Sequence, residues 1–248
     1  MIRAAISSLA LIVVAASAHA ASPTIDAAVA DATRPAADRD RDAERKPADM
    51  LAFTGVKPGM VVVDIMPGSG YFTRLFSSAV GPTGKVVAYE PDEFLTKFPK
   101  ALDGAKAIAA EPNHKNVETK HDPALAPGPA NVADVIWTSQ NYHDLHNVPG
   151  LDLVAFNKVI YGIVRPGGVY VVLDHSAPAG SGTADTGTLH RIDAATVRQE
   201  VEAAGFVFDG ESKVLANPAD PRTAKVFDPS IRGHTDQFVL RFRKPGGK

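Results

Sequence analysis

Three short stretches carry side chains that could move protons or hold a ligand: Asn141-Tyr142-His143-Asp144-Leu145-His146, Asp174-His175 and His190-Arg191. Imidazole changes charge near neutral pH, so His143 or His175 could take a proton from a substrate hydroxyl or carbon acid. Asp144 or Asp174 could orient the ring. The planar guanidinium of Arg191 suits a forked grip on a substrate carboxylate. Each residue taken alone reads equally well as a loop or capping residue; as a group at adjacent chain reversals they point to a pocket. His143 and His146, three apart, together with His175 and His190, offer nitrogen ligands of the kind zinc and iron accept. No tight two-ligand motif with a third partner accompanies them, so no metal site is expected.

A second constellation lies upstream, in Asp64-Ile65-Met66-Pro67-Gly68-Ser69-Gly70-Tyr71-Phe72-Thr73. A tight glycine turn between a strand and a helix lets backbone approach a ligand, and the amides of the helix start favour polar or anionic groups. Glu90 follows about twenty residues after the glycines, at the end of the next β-branched run. A carboxylate there suits hydrogen bonds from ribose hydroxyls. The turn and the acid together describe a nucleoside-cofactor site.

These residues need strands to carry them to one edge. Continuous β-branched runs, expected where both faces of a sheet are covered, predict strands over Val61 to Ile65, Lys85 to Glu90, Val132 to Thr138 and Val169 to Asp174. A weaker one is predicted near Val117 to Lys120. Helices are predicted near Tyr71 to Val80, Glu93 to Leu102, Leu151 to Ile163 and Ala194 to Ala204. Phe206 to Leu215 and Gln237 to Arg243 read as a closing antiparallel pair. The alternation predicts an α/β, Rossmann-like, doubly wound and mostly parallel seven-stranded sheet with that C-terminal pair antiparallel. Trp137, inside the fourth strand, reads as core. The stretch from 216 to 236, rich in Pro, Asp and Arg and without periodicity, reads as a lid or a plain crossover.

Size and composition bound the rest. The 248 residues suit one α/β domain. With 26 Lys and Arg against 28 Asp and Glu, the net charge is −2 and no basic run occurs, which argues against a nucleic-acid partner. Arg3, the apolar stretch Ala4 to Ala18 and Ala18-His19-Ala20 have the layout of a secretory signal peptide cleaved after residue 20. No integral membrane segment is expected after that cleavage, and the expected location is exported, in the periplasm. With no cysteine there is neither a disulfide nor a thiolate site. Residues 21 to 46, Ala-rich and densely charged, read as a tether and solvated helix ahead of a domain over 47 to 248.

The stretch from Val61 to Asp92, with Gly81-Pro82-Thr83-Gly84-Lys85-Val86 leading into the second strand, resembles motifs I and II of class I S-adenosylmethionine (SAM)-dependent methyltransferases. Ala133 to Leu145 resembles the fourth-strand motif of that superfamily, and Leu151 to Leu173 the helix, Arg-Pro-Gly-Gly turn and fifth strand that follow. Asp174-His175-Ser176-Ala177, Leu189 to Asp193 and Thr235 to Phe238 carry a narrower resemblance to a group of exported methyltransferases. The resemblance implies SAM as cofactor, with Gly68, Ser69 and Gly70 at its methionine end, Asp64 organising that turn and Tyr71 beside it. It also implies Glu90 on the ribose and Asp122 on the adenine, with Gln140 and Asn141 facing the reacting centre. Met66 stands where that pattern has its first glycine, and Pro67 follows, which narrows the space for the methionine end.

The resulting expectation is a methyltransferase acting on a small molecule, with His143, His175, Asn141 and Arg191 as candidate catalytic groups. Two alternatives stay open. One is a SAM-independent envelope enzyme, a lyase or hydrolase, using the His and Arg residues on the same scaffold. The other is a non-catalytic binding protein. Oligomeric state is not legible.

Overall fold

A computed structural model describes residues 23–246; the proposed signal peptide lies outside them. One mixed sheet organises the chain, in the order β3-β2-β1-β4-β5-β7-β6. Its strands are β1 (Val61–Ile65), β2 (Lys85–Pro91), β3 (Val117–Asp122), β4 (Ala133–Ser139), β5 (Val164–His175), β6 (Val207–Ser212) and β7 (Gln237–Arg243). The first five run parallel, while β7 inserts antiparallel between β5 and β6. The predicted α/β class, sheet and C-terminal pair are therefore present. Among the described residues no helix is long and apolar enough to cross a membrane.

The two faces of the sheet bury alternate side chains, as a period of two requires. On one face Val62, Val86, Val135, Trp137 and Val171 pack with residues of α4 (Pro47–Thr54) and α5 (Tyr71–Val80). Trp137 is fully buried, with its ring centroid 4.6 Å from Phe72 and 5.7 Å from Phe76. On the other face Val63, Ile136, Tyr170 and Val172 pack with residues of α9 (Leu153–Ile163) and α10 (Ala194–Ala203). Both of these helices start on an aspartate cap: Asp152 accepts from the amides of Val154 and Ala155, and Asp193 from that of Ala195.

Two segments differ from the sequence expectation. The helix predicted over 93 to 102 ends early, as α6 (Asp92–Lys97), and an unpredicted helix, α7 (Asp103–Ala110), follows it. Pro99 explains the break, because a residue before proline is pushed out of the helical region, and Phe98 sits at φ −127°, ψ 75°. The charged stretch before residue 47 folds into α1 (Pro23–Ala30), α2 (Ala36–Arg39) and α3 (Asp42–Arg45). Ile25 and Ala28 of α1 are buried in the first core cluster, so this stretch is built into the domain rather than trailing from it.

Candidate functional site

The carboxyl ends of β1, β2, β4 and β5 meet at one edge, where an open α/β sheet places its ligands. Register fixes what is brought together there. Asp64 of β1 lies beside Ala88 of β2 and Trp137 of β4, two positions before the strand exits. The chain leaves β1 through Met66, at φ +54°, with its amide donating to Tyr89 O at 2.7 Å. A left-handed non-glycine residue costs roughly 1 kcal/mol, and here it sits at the position of the missing glycine. Met66 thus adopts the backbone conformation that glycine would supply, and its side chain packs with the second core cluster.

The two glycines of the turn have different reasons to be there. At Gly68, φ is +57° and an added Cβ would meet nothing within 4 Å, so open space lies in front of it. At Gly70 φ is +82°, which disfavours any side chain, and a Cβ would also fall 2.1 Å from Ile108 Cδ1 of α7. Asn141 Nδ2 donates to Met66 O at 2.7 Å and its Oδ1 accepts from Thr138 Oγ1. Asn141 therefore fastens the exit of β4 to the glycine turn.

Asp64 and Glu90 are buried carboxylates in each other's field. Asp64 accepts from Thr73 Oγ1 at 2.6 Å, and burial pushes its pKa up to about 7. Glu90 is 2 % exposed. Burial, with the Asp64 charge added, pushes it up to about 7 as well, and its side chain has no hydrogen-bond partner among the described residues.

The N-terminal helices close over this end. Tyr71 is buried and its hydroxyl donates to Asp42 Oδ1 at 2.6 Å, while Arg34 holds the same carboxylate through two bonds of 2.7 and 2.8 Å. Arg45 lies over the Tyr71 and Phe72 rings at 4.6 and 4.8 Å and donates to Ser139 Oγ at 2.8 Å. Desolvation lowers its pKa to about 10, with Asp64 acting in the opposite direction. Tyr71, expected beside the cofactor, instead ties down this cover. Asp122, expected at the adenine, pairs with Lys120 at 2.9 Å and lines a groove on the sheet face.

The second cluster forms where β4, β5 and the segment before α10 converge. Asp174 is completely buried and accepts from the amides of His143 (2.8 Å) and His175 (2.7 Å) and from His143 Nδ1 (2.8 Å). This pairing holds Asp174 below the usual carboxylate range and raises His143, burial opposing both shifts. His143 sits in α8 (Tyr142–Leu145), a single turn where the sequence suggested a loop. Its Nε2 lies 3.2 Å from His190 Nδ1 and 3.5 Å from Asp144 Oδ1. His175 bonds Thr235 Oγ1 at 2.7 Å, and burial lowers its pKa to about 4, so it stays neutral.

Arg191 corrects an expectation. It is fully buried and forms an ion pair with Asp220 at 2.8 Å, with further bonds to Ser176 O and Ala224 O at 3.0 Å. No donor is left facing a substrate; Arg191 anchors the irregular segment between β6 and β7. Asp236 reinforces the anchor, its amide donating to Asp220 and its carboxylate pairing with Arg222.

Two cavities flank the histidines. One, of about 910 Å³, extends from Phe94 and Phe98 to His143, His175, His190 and Phe227. The other, of about 740 Å³, lies between Arg45 and the 226–237 segment. Gln140, at φ +62°, lines both and donates to Gln237 Oε1 at 2.9 Å.

The protein-L-isoaspartate(D-aspartate) O-methyltransferase family model matches residues 39–111, from the N-terminal helices through α7. The ubiquinone/menaquinone biosynthesis C-methyltransferase UbiE of Ectopseudomonas mendocina is 28 % identical over 194 residues, 77 % of this chain and 65 % of that protein. The chain thus spans just under two thirds of that relative's length. A SAM-dependent methyltransferase from Aquifex aeolicus superposes at TM-score 0.60 and 20 % identity, over 84 % of this chain and 95 % of that one. The chain is similar in sequence to SAM-dependent methyltransferases and has their fold. The same fold is shared by the [4+2]-cyclase SpnF, at TM-score 0.58 and 19 % identity over 86 % of this chain and 82 % of that one.

SAM is the cofactor that these similarities indicate, and the residues at the β1 and β2 exits of this chain fit it. Glu90 is a buried carboxylate without a partner, which a pair of ribose hydroxyls would satisfy, and the space before Gly68 is open. Arg45 supplies a cation near the β4 exit for a carboxylate. Sequence reasoning missed Arg45 because a run of alternating charges looks like a solvated face; only the fold brings it 94 residues along the chain to Ser139.

Proposed function

We propose that the chain transfers a methyl group from SAM to a small-molecule acceptor held in the 910 Å³ cavity. The observation that carries this reading is the juxtaposition of an unpartnered Glu90 behind the glycine turn with a cavity that ends on the buried His143–Asp174 pair. Bound SAM would supply an electrophilic methyl group on a sulfonium. Glu90 accepts hydrogen bonds from the ribose, and Arg45 neutralises the methionine carboxylate. Asn141 would hold the turn against which the methionine end would lie. His143, oriented through Nδ1 by Asp174, presents Nε2 to the cavity and takes the acceptor's proton. His175, neutral at working pH, contributes a wall without charge. Most of the acceleration comes from alignment of the two reactants.

The apolar side of the cavity, with Phe94, Phe98, Val148 and Phe227, suits an acceptor with a hydrophobic or aromatic body. The test is transfer of labelled methyl from SAM to a panel of phenols, quinols and carbon acids. Wild-type protein labels at least one class, and His143→Ala lowers kcat by about 10²- to 10⁴-fold. Labelling unchanged in His143→Ala removes that residue from the chemistry, and no labelling with any acceptor counts against methyl transfer.

A second reading keeps the cavity and drops the cofactor. Glu90 is almost sealed, Met66 occupies a glycine position, and the same fold is found in the [4+2]-cyclase SpnF. Turnover by SAM-free protein would favour it. We infer from the leader-like residues 1–20 that the protein acts in the periplasm, which fractionation of expressing cells checks.

A further inference from the structure

We propose that His143, Asp144 and His190 form a divalent metal site whose open coordination position faces the 910 Å³ cavity. Three ligand atoms converge: His143 Nε2, Asp144 Oδ1 and His190 Nδ1 are 3.2, 3.5 and 3.6 Å apart pairwise. A tetrahedral ion with ligands at about 2.0–2.1 Å sets its ligand atoms about 3.3–3.4 Å apart. The triangle already has that size. A proton shared by the two imidazoles would leave a cationic pair that also attracts Asp144, so stoichiometric ion binding is what separates a dication from a shared proton.

The surroundings match those of a metal-bound histidine. His143 uses Nδ1 on the buried Asp174, so Nε2 carries the lone pair and the ring cannot turn away. His190 is held at φ +56° with its ring 5.0 Å from that of Phe227, which fixes the second imidazole. The set is two imidazoles and one carboxylate with no thiolate, which selects zinc, iron(II), cobalt(II) or manganese(II) over calcium or magnesium. His175 is not among the converging ligands; its ring centroid lies 6.4 Å from that of His143. Three protein ligands beside a cavity leave a position for a substrate oxygen. His146, singled out with these residues by spacing, is elsewhere, on Glu200 at 3.2 Å.

The inference deepens the methyl-transfer reading and rests on it only for what the ion acts on. It narrows the acceptor to compounds with an ionisable oxygen, such as a phenol or enol, whose acidity the ion raises. The O–H proton passes to solvent, the new O–C bond forms as the sulfonium S–C bond breaks, and the sulfur keeps that electron pair. The ion uses the same lone pair of His143 that takes the proton in metal-free protein.

The test is titration of chelator-treated, tag-free protein with Zn²⁺ by calorimetry and with Co²⁺ by visible absorption. One equivalent binds, with the intense visible bands of four-coordinate cobalt. Asp174→Asn weakens binding by about 10- to 100-fold. His190→Ala and Asp144→Ala weaken it further, and exposed His234→Ala leaves it unchanged. Thermal melts confirm that each variant is folded. No stoichiometric ion in wild-type protein, or wild-type affinity in folded His190→Ala, overturns the proposal. A parallel SAM titration separates the two readings. SAM binding without metal binding sinks this site and spares methyl transfer, and metal binding without SAM does the reverse.

Discussion

The two halves of the site are built in opposite ways. The cofactor half comes from one β-α-β stretch, in which Asp64, Gly68 and Glu90 are set by neighbouring strands in register. The histidine half is assembled from three distant places: α8, the end of β5 and the segment before α10, held by the buried Asp174 and the Arg191–Asp220 pair. The first half is fixed by local backbone geometry and carries an unpaired carboxylate. The second is fixed by long-range charge pairing, through the buried Asp174 and Asp220. A ligand completes the first half; the second is held together by its own pairing.

Perturbing the anchor tests that contrast most forcefully. Removing one member of a fully buried ion pair costs about 3–5 kcal/mol. Arg191→Ala should therefore lower urea stability by about that amount, because Asp220 is left buried without its cation. In the folded fraction the acceptor KM should rise while SAM affinity stays within a few-fold. A variant as stable as wild type would show that the segment between β6 and β7 does not depend on this anchor.

A smaller effect is expected from pH, and only in the cofactor half. Glu90 is raised to about 7, so below that pH it holds a proton that must leave before it can accept from a ribose diol. SAM affinity should tighten by about tenfold between pH 6 and pH 7–8 and then level off. Folding has the opposite sign. A carboxylate raised above its unfolded value binds more protons in the folded state, so its contribution to stability falls as pH rises through about 7. Affinity flat from pH 6 to 8 would place the nucleoside elsewhere.

Much of this was legible in the residues. The glycine turn and Glu90 were readable because strand, turn and acid are contiguous, and α5 and β7 fall on their predicted bounds. The gathering of His143, Asp174 and His175 at adjacent strand ends followed from parallel strand order. Other roles were not readable, because they depend on contacts distant in sequence. Arg191 resembles a substrate clamp until Asp220 is seen to occupy it, and Tyr71 resembles a cofactor contact until Asp42 claims its hydroxyl. Gly70 looks like part of the cofactor cradle, and its φ of +82° and the nearby Ile108 give it a packing role as well. His190 could not be matched to Asp144 by spacing, since a long connection separates them.

The most direct test of the central claim is calorimetric titration with SAM and its demethylated product S-adenosylhomocysteine, run on wild type, Glu90→Ala and His143→Ala. The account predicts micromolar binding to wild type, nearly unchanged binding to His143→Ala, and at least a tenfold loss in Glu90→Ala, as expected when a charged hydrogen-bond acceptor worth about 1.5–3 kcal/mol is removed. Unchanged affinity in Glu90→Ala, or no binding by folded wild-type protein, would contradict it.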